Sequence, residues 1–323
     1  MAQDLVLEIG PDGARFSAGA DFERLSDELD ALIDRYESGQ LKPARYVTAL
    51  REFVTRHPNH IEASAHLVLA LLDQEKPRQA LEAAQRGFKL GEKAIPPDYR
   101  GAIDWRHDAN RSFLLVADAL ARTLVVNGEH AQAAAVMEKM LAWNPADQQG
   151  VALRIGSLYL RTGQKEKAKA AFEAALRDDG TAHYEIGLMH LMDGDFVAAA
   201  TALRRGFVAT PYVAELLCGA ATGDPFLIGD TVEDVDHAMD YAESEYDAWR
   251  KTDQAIVFLR WLYHHPKAML ERAAIFDLRE RRNWEKDLAA RDALEQREEA
   301  LIAALDDALS VEIVREREDQ AGR

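Results

Sequence analysis

The chain has 323 residues, 48% of them hydrophobic and 8% aromatic, with 39 Lys and Arg against 56 Asp and Glu for a net charge of −17. That field repels polyphosphate and anionic lipid, which argues against nucleic acid and membrane surfaces as partners. A single cysteine, Cys218, excludes an internal disulfide and a cysteine-rich zinc site.

The opening "MAQDLVLEIGPDG" lacks the basic start and long apolar run of a secretory signal. No stretch approaches the roughly 18 apolar residues of a spanning helix, so a cytoplasmic protein is expected. In residues 4–17, Leu5, Leu7 and Ile9 alternate, Pro11-Asp12-Gly13 signals a turn, and Phe16 follows on a short return. This reads as an N-terminal arm or hairpin over 1–20, either a frayed terminus or a strand that docks on a partner.

From Asp21 the apolar spacing becomes helical, and the chain begins to repeat itself. Gly156, Tyr159, Gly163, Ala168, Phe172 and Ala175 form one set. Gly187, His190, Gly194, Ala199, Leu203 and Gly206 repeat it 31 residues later. Ala121, Leu124, Gly128, Ala133, Met137 and Met140 precede it by 35, and Val68, Leu71, Ala80, Ala84 and Gly87 follow the same spacing further upstream. Small residues at such positions let paired helices approach. Tyr159 and Phe172 fill the space between pairs, and glycines 128, 163 and 194 permit a left-handed turn.

This pattern resembles the tetratricopeptide repeat family, W-x2-L-G-x2-Y followed by A-x3-F, x2-A and a closing proline. Ile155-Gly156, Tyr159, Ala168, Phe172 and Ala175 match it, Ala152 stands where the tryptophan would be, and Pro58, Pro145 and Pro211 fall at closing positions. The resemblance covers about residues 27–211, most strongly 114–211. It implies an all-α, TPR-like α-solenoid of stacked helix pairs over 21–211, with a short N-terminal arm and long C-terminal helices. Within "NPADQQG" (144–150), Asn144-Pro145 ends one repeat and Asp147 is an N-cap candidate for the next helix. The same turn is similar to an N-P-x-D-x-Q-G signature in some uncharacterised bacterial repeat proteins and suppressor-of-tumorigenicity-type proteins, and it implies no activity.

The stretch "GEKAIPPDYRGAIDWRHDANR" (91–111) interrupts the array and is too long for a routine connection. Its Tyr99, Arg100, Trp105, Arg106, His107, Asn110 and Arg111 have a recognition-like composition. It could equally plug a groove or extend a helix. Past Pro211 the repeat fades into a C-terminal helical capping region, 212–323. "PYVAELLCG" reads as one more first helix and 221–234 as a loop. The following stretch reads as two helices burying Tyr241, Trp249, Phe258, Trp261 and Leu262. Residues 267–309 read as long charged helix with a stripe of Leu294, Leu301, Leu305 and Leu309, serving as a cap or as a coiled-coil seam.

Phosphate loops and a nucleophile elbow are absent. Cys218 after two leucines fits a small core residue, and the adjacent His264 and His265 diverge by about 100° on a helix. We therefore expect no enzymatic activity, catalytic residue, cofactor or metal.

The resemblance implies that first helices line a concave surface, which places Asp118, Arg122, Arg154, Ser157, Arg161 and Tyr184 near binding positions. Trp105, Arg106 and Asn110 of the insertion join them as candidates. Arginines facing inward would suit an acidic or carboxylate-bearing peptide; alternatively they pair with acidic neighbours. The expected function is a protein–protein interaction adaptor. Two alternatives remain: a ligand-sensing or catalytic protein with a pocket beside 91–111, and a homo-oligomer built through the C-terminal helix.

Overall fold

A computed structural model describes residues 5–11, 13–17, 21–220, 225–227 and 229–321. Asp12 of the expected turn, residues 1–4 and 18–20 of the expected arm, and 221–224 and 228 of the expected loop lie outside them. Among the described residues the chain is all-α apart from one short hairpin, and it divides into two compact units, Met1–Thr162 and Gly163–Arg323.

In the first unit, β1 (Leu7–Gly10) pairs antiparallel with β2 (Gly13–Phe16), Leu7 opposite Phe16. Helices α1 (Phe22–Glu37), α2 (Pro43–Arg56), α3 (Ile61–Asp73), α4 (Pro77–Ala94), α5 (Asp108–Val126), α6 (His130–Trp143) and α7 (Val151–Arg161) follow. Each helix packs against the next in sequence, and α5 also packs on α3. Pro43 and Pro77 start α2 and α4, where a missing N–H costs nothing and φ is already helical. The alanines at the repeated positions, Ala80, Ala84, Ala121 and Ala133, are completely buried.

The described hairpin of the arm, Leu7–Phe16, is packed on the first unit. Phe16 is buried 4.9 Å from the Phe113 ring, in an aromatic cluster with Phe88 and Trp143. Ala14 donates to the Ala102 carbonyl at 2.8 Å and forms a parallel bridge with Ile103. The first residues of the 91–111 stretch lengthen α4, the last begin α5, and the middle receives the hairpin.

In the second unit lie α8 (Lys165–Ala175), α9 (Ala182–Met192), α10 (Phe196–Ala209), α11 (Pro211–Leu217), α12 (Val232–Lys251), α13 (Ala255–Tyr263), α14 (Pro266–Trp284), α15 (Leu288–Ala303) and α16 (Asp307–Ala321). A Cβ on Gly187 of α9 would stand 2.7 Å from Leu203 Cδ2 of α10, so only glycine permits this approach. Tyr184, Phe207, Tyr241, Trp249, Phe258 and Leu262 share one core.

The expected long helix over 267–309 is three helices. Asp287 accepts from the Ala290 amide at 2.8 Å and Asp306 from the Ala308 amide at 2.9 Å. Each aspartate thereby starts a new helix instead of continuing the old one. The leucines do not form one stripe as a result: Leu305 is buried at the second break while Leu301 is exposed. α16 folds back on α10, where Arg204 is held by Glu271 (2.8 and 2.5 Å), the Asp306 carbonyl (2.8 Å) and Ser310 Oγ (2.7 Å).

Candidate functional site

The turn before α7 is built from its own residues. Both carboxylate oxygens of Asp147 accept first-turn amides, from Val151 at 2.7 Å and Ala152 at 2.8 Å. Asp147 itself takes φ 49° and Gly150 φ 62°. The N-cap position is Gly150 and not Asp147, which reaches the first-turn amides from four residues before α7, and Gln149 ties the turn to α5 by donating to the Leu114 carbonyl at 3.2 Å. The turn is scaffolding that sets α7 beside α5.

That placement brings three candidates together. Asp118 of α5 lies 2.7 Å from Arg122 Nε, one turn along the same helix, and 2.5 Å from Arg154 Nη2 of α7. One carboxylate, buried on most of its surface, thus holds two guanidinium groups. Arg154 is half-buried and also donates to the carbonyls of Gln149 (3.2 Å) and Gly150 (3.4 Å), while its Nη1 is buried without a hydrogen-bond partner among the described residues. Arg122 is the more exposed of the two. Its Nε is fixed by Asp118, and its two Nη groups make no hydrogen bond or ion pair among the described residues. The net charge of the trio is +1 on a chain of −17. Elsewhere on α5, Ser112 Oγ donates to Glu62 of α3 at 3.0 Å, a contact that nothing in the sequence around either residue signals.

The remaining candidates are placed differently. Ser157 is buried and back-bonds to the Leu153 carbonyl at 3.3 Å. Arg161 is exposed in the last turn of α7, so the seven-residue spacing from Arg154 does not give the two arginines the same surroundings. Tyr184, in the second unit, is wholly buried and donates to the Thr210 carbonyl at 2.8 Å; burial drives its phenol far above the ordinary range. Asn110 is 0% exposed. Its Oδ1 accepts from the Phe16 amide (2.8 Å), and its Nδ2 donates to the Ala14 and Asp104 carbonyls (both 3.0 Å). It latches the hairpin to α5. Nothing in its sequence neighbourhood signalled this, because the partner strand lies 94 residues away.

In the insertion, Arg106 is exposed but engaged with Asp104, whose carboxyl it holds down at about 2 by hydrogen bonds. Trp105 is partly exposed, with the Arg111 guanidinium 5.7 Å above its ring. Tyr99 donates to the Ala102 carbonyl at 2.7 Å, Arg100 donates to the carbonyls of Pro97 and Tyr99, and His107 meets Arg15 at 3.1 Å. Elsewhere, His264 contacts the Arg260 carbonyl and His265 contacts Glu316 at 3.1 Å, each with its own partner. Burial pushes the Cys218 thiol up to about 11, away from the thiolate a nucleophile requires. No helix among the described residues is long and apolar enough to cross a membrane.

No curated protein matches the chain. Residues 124–186, running from the end of α5 into α9, match the tetratricopeptide repeat family. Repeats of this kind generally mediate protein–protein interaction.

Proposed function

We propose that this chain is a non-enzymatic, cytoplasmic interaction scaffold whose α5–α7 face takes an acidic, carboxylate-bearing segment of a partner protein. The observation that carries the reading is Arg122. Asp118 fixes its Nε and leaves the outward Nη pair as a donor fork, and Arg154 on the same carboxylate keeps the cluster positive. A guanidinium fork held this way loses little side-chain entropy on meeting a carboxylate, which it can bind bidentately. The match over residues 124–186 supports the class of function, since the fork sits on the helix that enters that span.

The test is a peptide array of acidic, neutral and basic sequences probed with wild type and with Arg122→Glu. Binding confined to acidic peptides and lost in Arg122→Glu supports the reading. Equal retention by Arg122→Glu, or a preference for basic peptides that this variant leaves unchanged, rules out this face.

A further inference from the structure

A second surface, of opposite charge, lies on α12 in the other unit. Its inner face is core: Val235, Ala238, Tyr241 and Trp249 are buried. Its outer face carries Val232 (57% exposed), Met239 (36%) and Tyr246 (46%). These recur every seven residues, so on a helix they drift by only about 20° per step and form one row. Apolar side chains of this size, in register along a solvent-facing helix, are the half-seam that a second helix completes.

The charge beside that row selects the occupant. From Val232 to Trp249 the chain has seven acidic residues and no Lys or Arg. Glu245 is buried and Asp234 is committed to the capping box with Thr231. Asp236, Asp240 and Glu243 are exposed along the row, and none of the three forms a hydrogen bond or salt bridge among the described residues. Asp247, on the same side, is balanced by Arg250 and Lys251 of its own helix. The apolar row is therefore flanked by carboxylates with no bonded cation among the described residues, the nearest titratable base on the helix being His237, which is bonded to Asp179, and a like-charged partner would be repelled.

We infer that the outer face of α12 docks a basic amphipathic helix of a partner protein. The partner's apolar seam would lie on Val232, Met239 and Tyr246, and its Lys and Arg would meet Asp236, Asp240 and Glu243. Such a contact combines non-directional burial with flanking pairs that set partner choice and weaken with salt. It is separate from the arginine face of the first unit, so either surface can fail without the other.

The experiment uses the full chain and a fluorescein-labelled synthetic peptide of about 18 residues, roughly five helical turns, with Leu on one face and Lys and Arg on the other. A scramble of the same composition without the apolar face is the control. The amphipathic peptide is expected to bind, and the scramble to bind at least about tenfold more weakly. Both Asp236→Asn/Asp240→Asn/Glu243→Gln and Val232→Ser/Tyr246→Ser are expected to lose about tenfold or more in affinity. Because the changed side chains are exposed, thermal melts of both variants should match wild type, and Arg122→Glu should bind this peptide as wild type does. Absence of binding overturns the inference. So does a scramble that binds equally well, which would mean attraction by net charge alone, and so does full binding by both α12 variants, which would put the peptide elsewhere.

Discussion

Arg204 of α10 and Glu271 of α14 form a two-bond ion pair, 2.8 and 2.5 Å, in which the arginine side chain is 1% exposed. Its remaining donors go to the Asp306 carbonyl and Ser310, so the guanidinium fastens three helices at once. The pair does not by itself create stability, since desolvating two charges costs much of what their attraction returns. It decides where the C-terminal helices lie.

Removing one member is a different matter. Arg204→Ala should destabilise the second unit by about 3–5 kcal/mol, towards the lower end because Glu271 keeps some contact with water. Chemical denaturation measures the loss, and hydrogen exchange should show α16 amides losing protection first. Arg204→Met combined with Glu271→Leu should recover much of the stability. If the double variant is as unstable as the single one, the pair contributes more than orientation.

Asn110 offers a second test. Asn110→Ala leaves the Phe16 amide and the Ala14 carbonyl without their partner, and each unpaired buried group costs about 1–3 kcal/mol. Amides 13–17 should then exchange at rates close to those of an unfolded segment, while α5 and α6 keep their protection. Unchanged exchange in 13–17 would mean that the aromatic packing of Phe16 alone holds the hairpin.

Acid should weaken the second unit through His183. Burial, with Arg205 next, pushes this imidazole down to about 4, so it is neutral when folded. Unfolded, it protonates near its ordinary value of about 6.5. The unfolded state therefore binds more protons between these values, and stability present above about 6.5 falls as pH drops towards 4, by on the order of 3 kcal/mol at most. His237, raised by its bond to Asp179, works the other way, contributing below its unfolded value and losing that contribution as pH rises through the raised one. A His183→Gln variant should show a flatter loss between pH 6.5 and 4 in urea denaturation. An unchanged slope would assign the acid sensitivity to other groups.

The Cys218 thiol is raised to about 11 by burial. At neutral pH it should react slowly with iodoacetamide, with rate enhancement appearing only on denaturation or well above pH 9 (about 1% thiolate for a group two units below its pKa). Rapid alkylation of the folded chain, followed by mass spectrometry, would show that the site opens.

What the sequence determined is local. Apolar spacing of three and four residues, small residues at repeated positions and glycine between helices marked the helix pairs, because each is settled within one or two turns of chain. Gly128 and Gly194 take φ 77° and 74° for the same reason. Even the break-up of 267–309 was written locally, in Asp287 and Asp306, although the charged helical composition around them masked it. The fate of the polar groups was not local. Whether Arg154 faces solvent or Asp118, whether Asn110 meets a partner or Phe16, and whether Arg204 is surface or core depend on which distant element each helix face is turned towards. Arg204 and Ser310 are 106 residues apart, and Asn110 and Phe16 are 94. Helical period places a side chain on a face, and only packing supplies what that face meets.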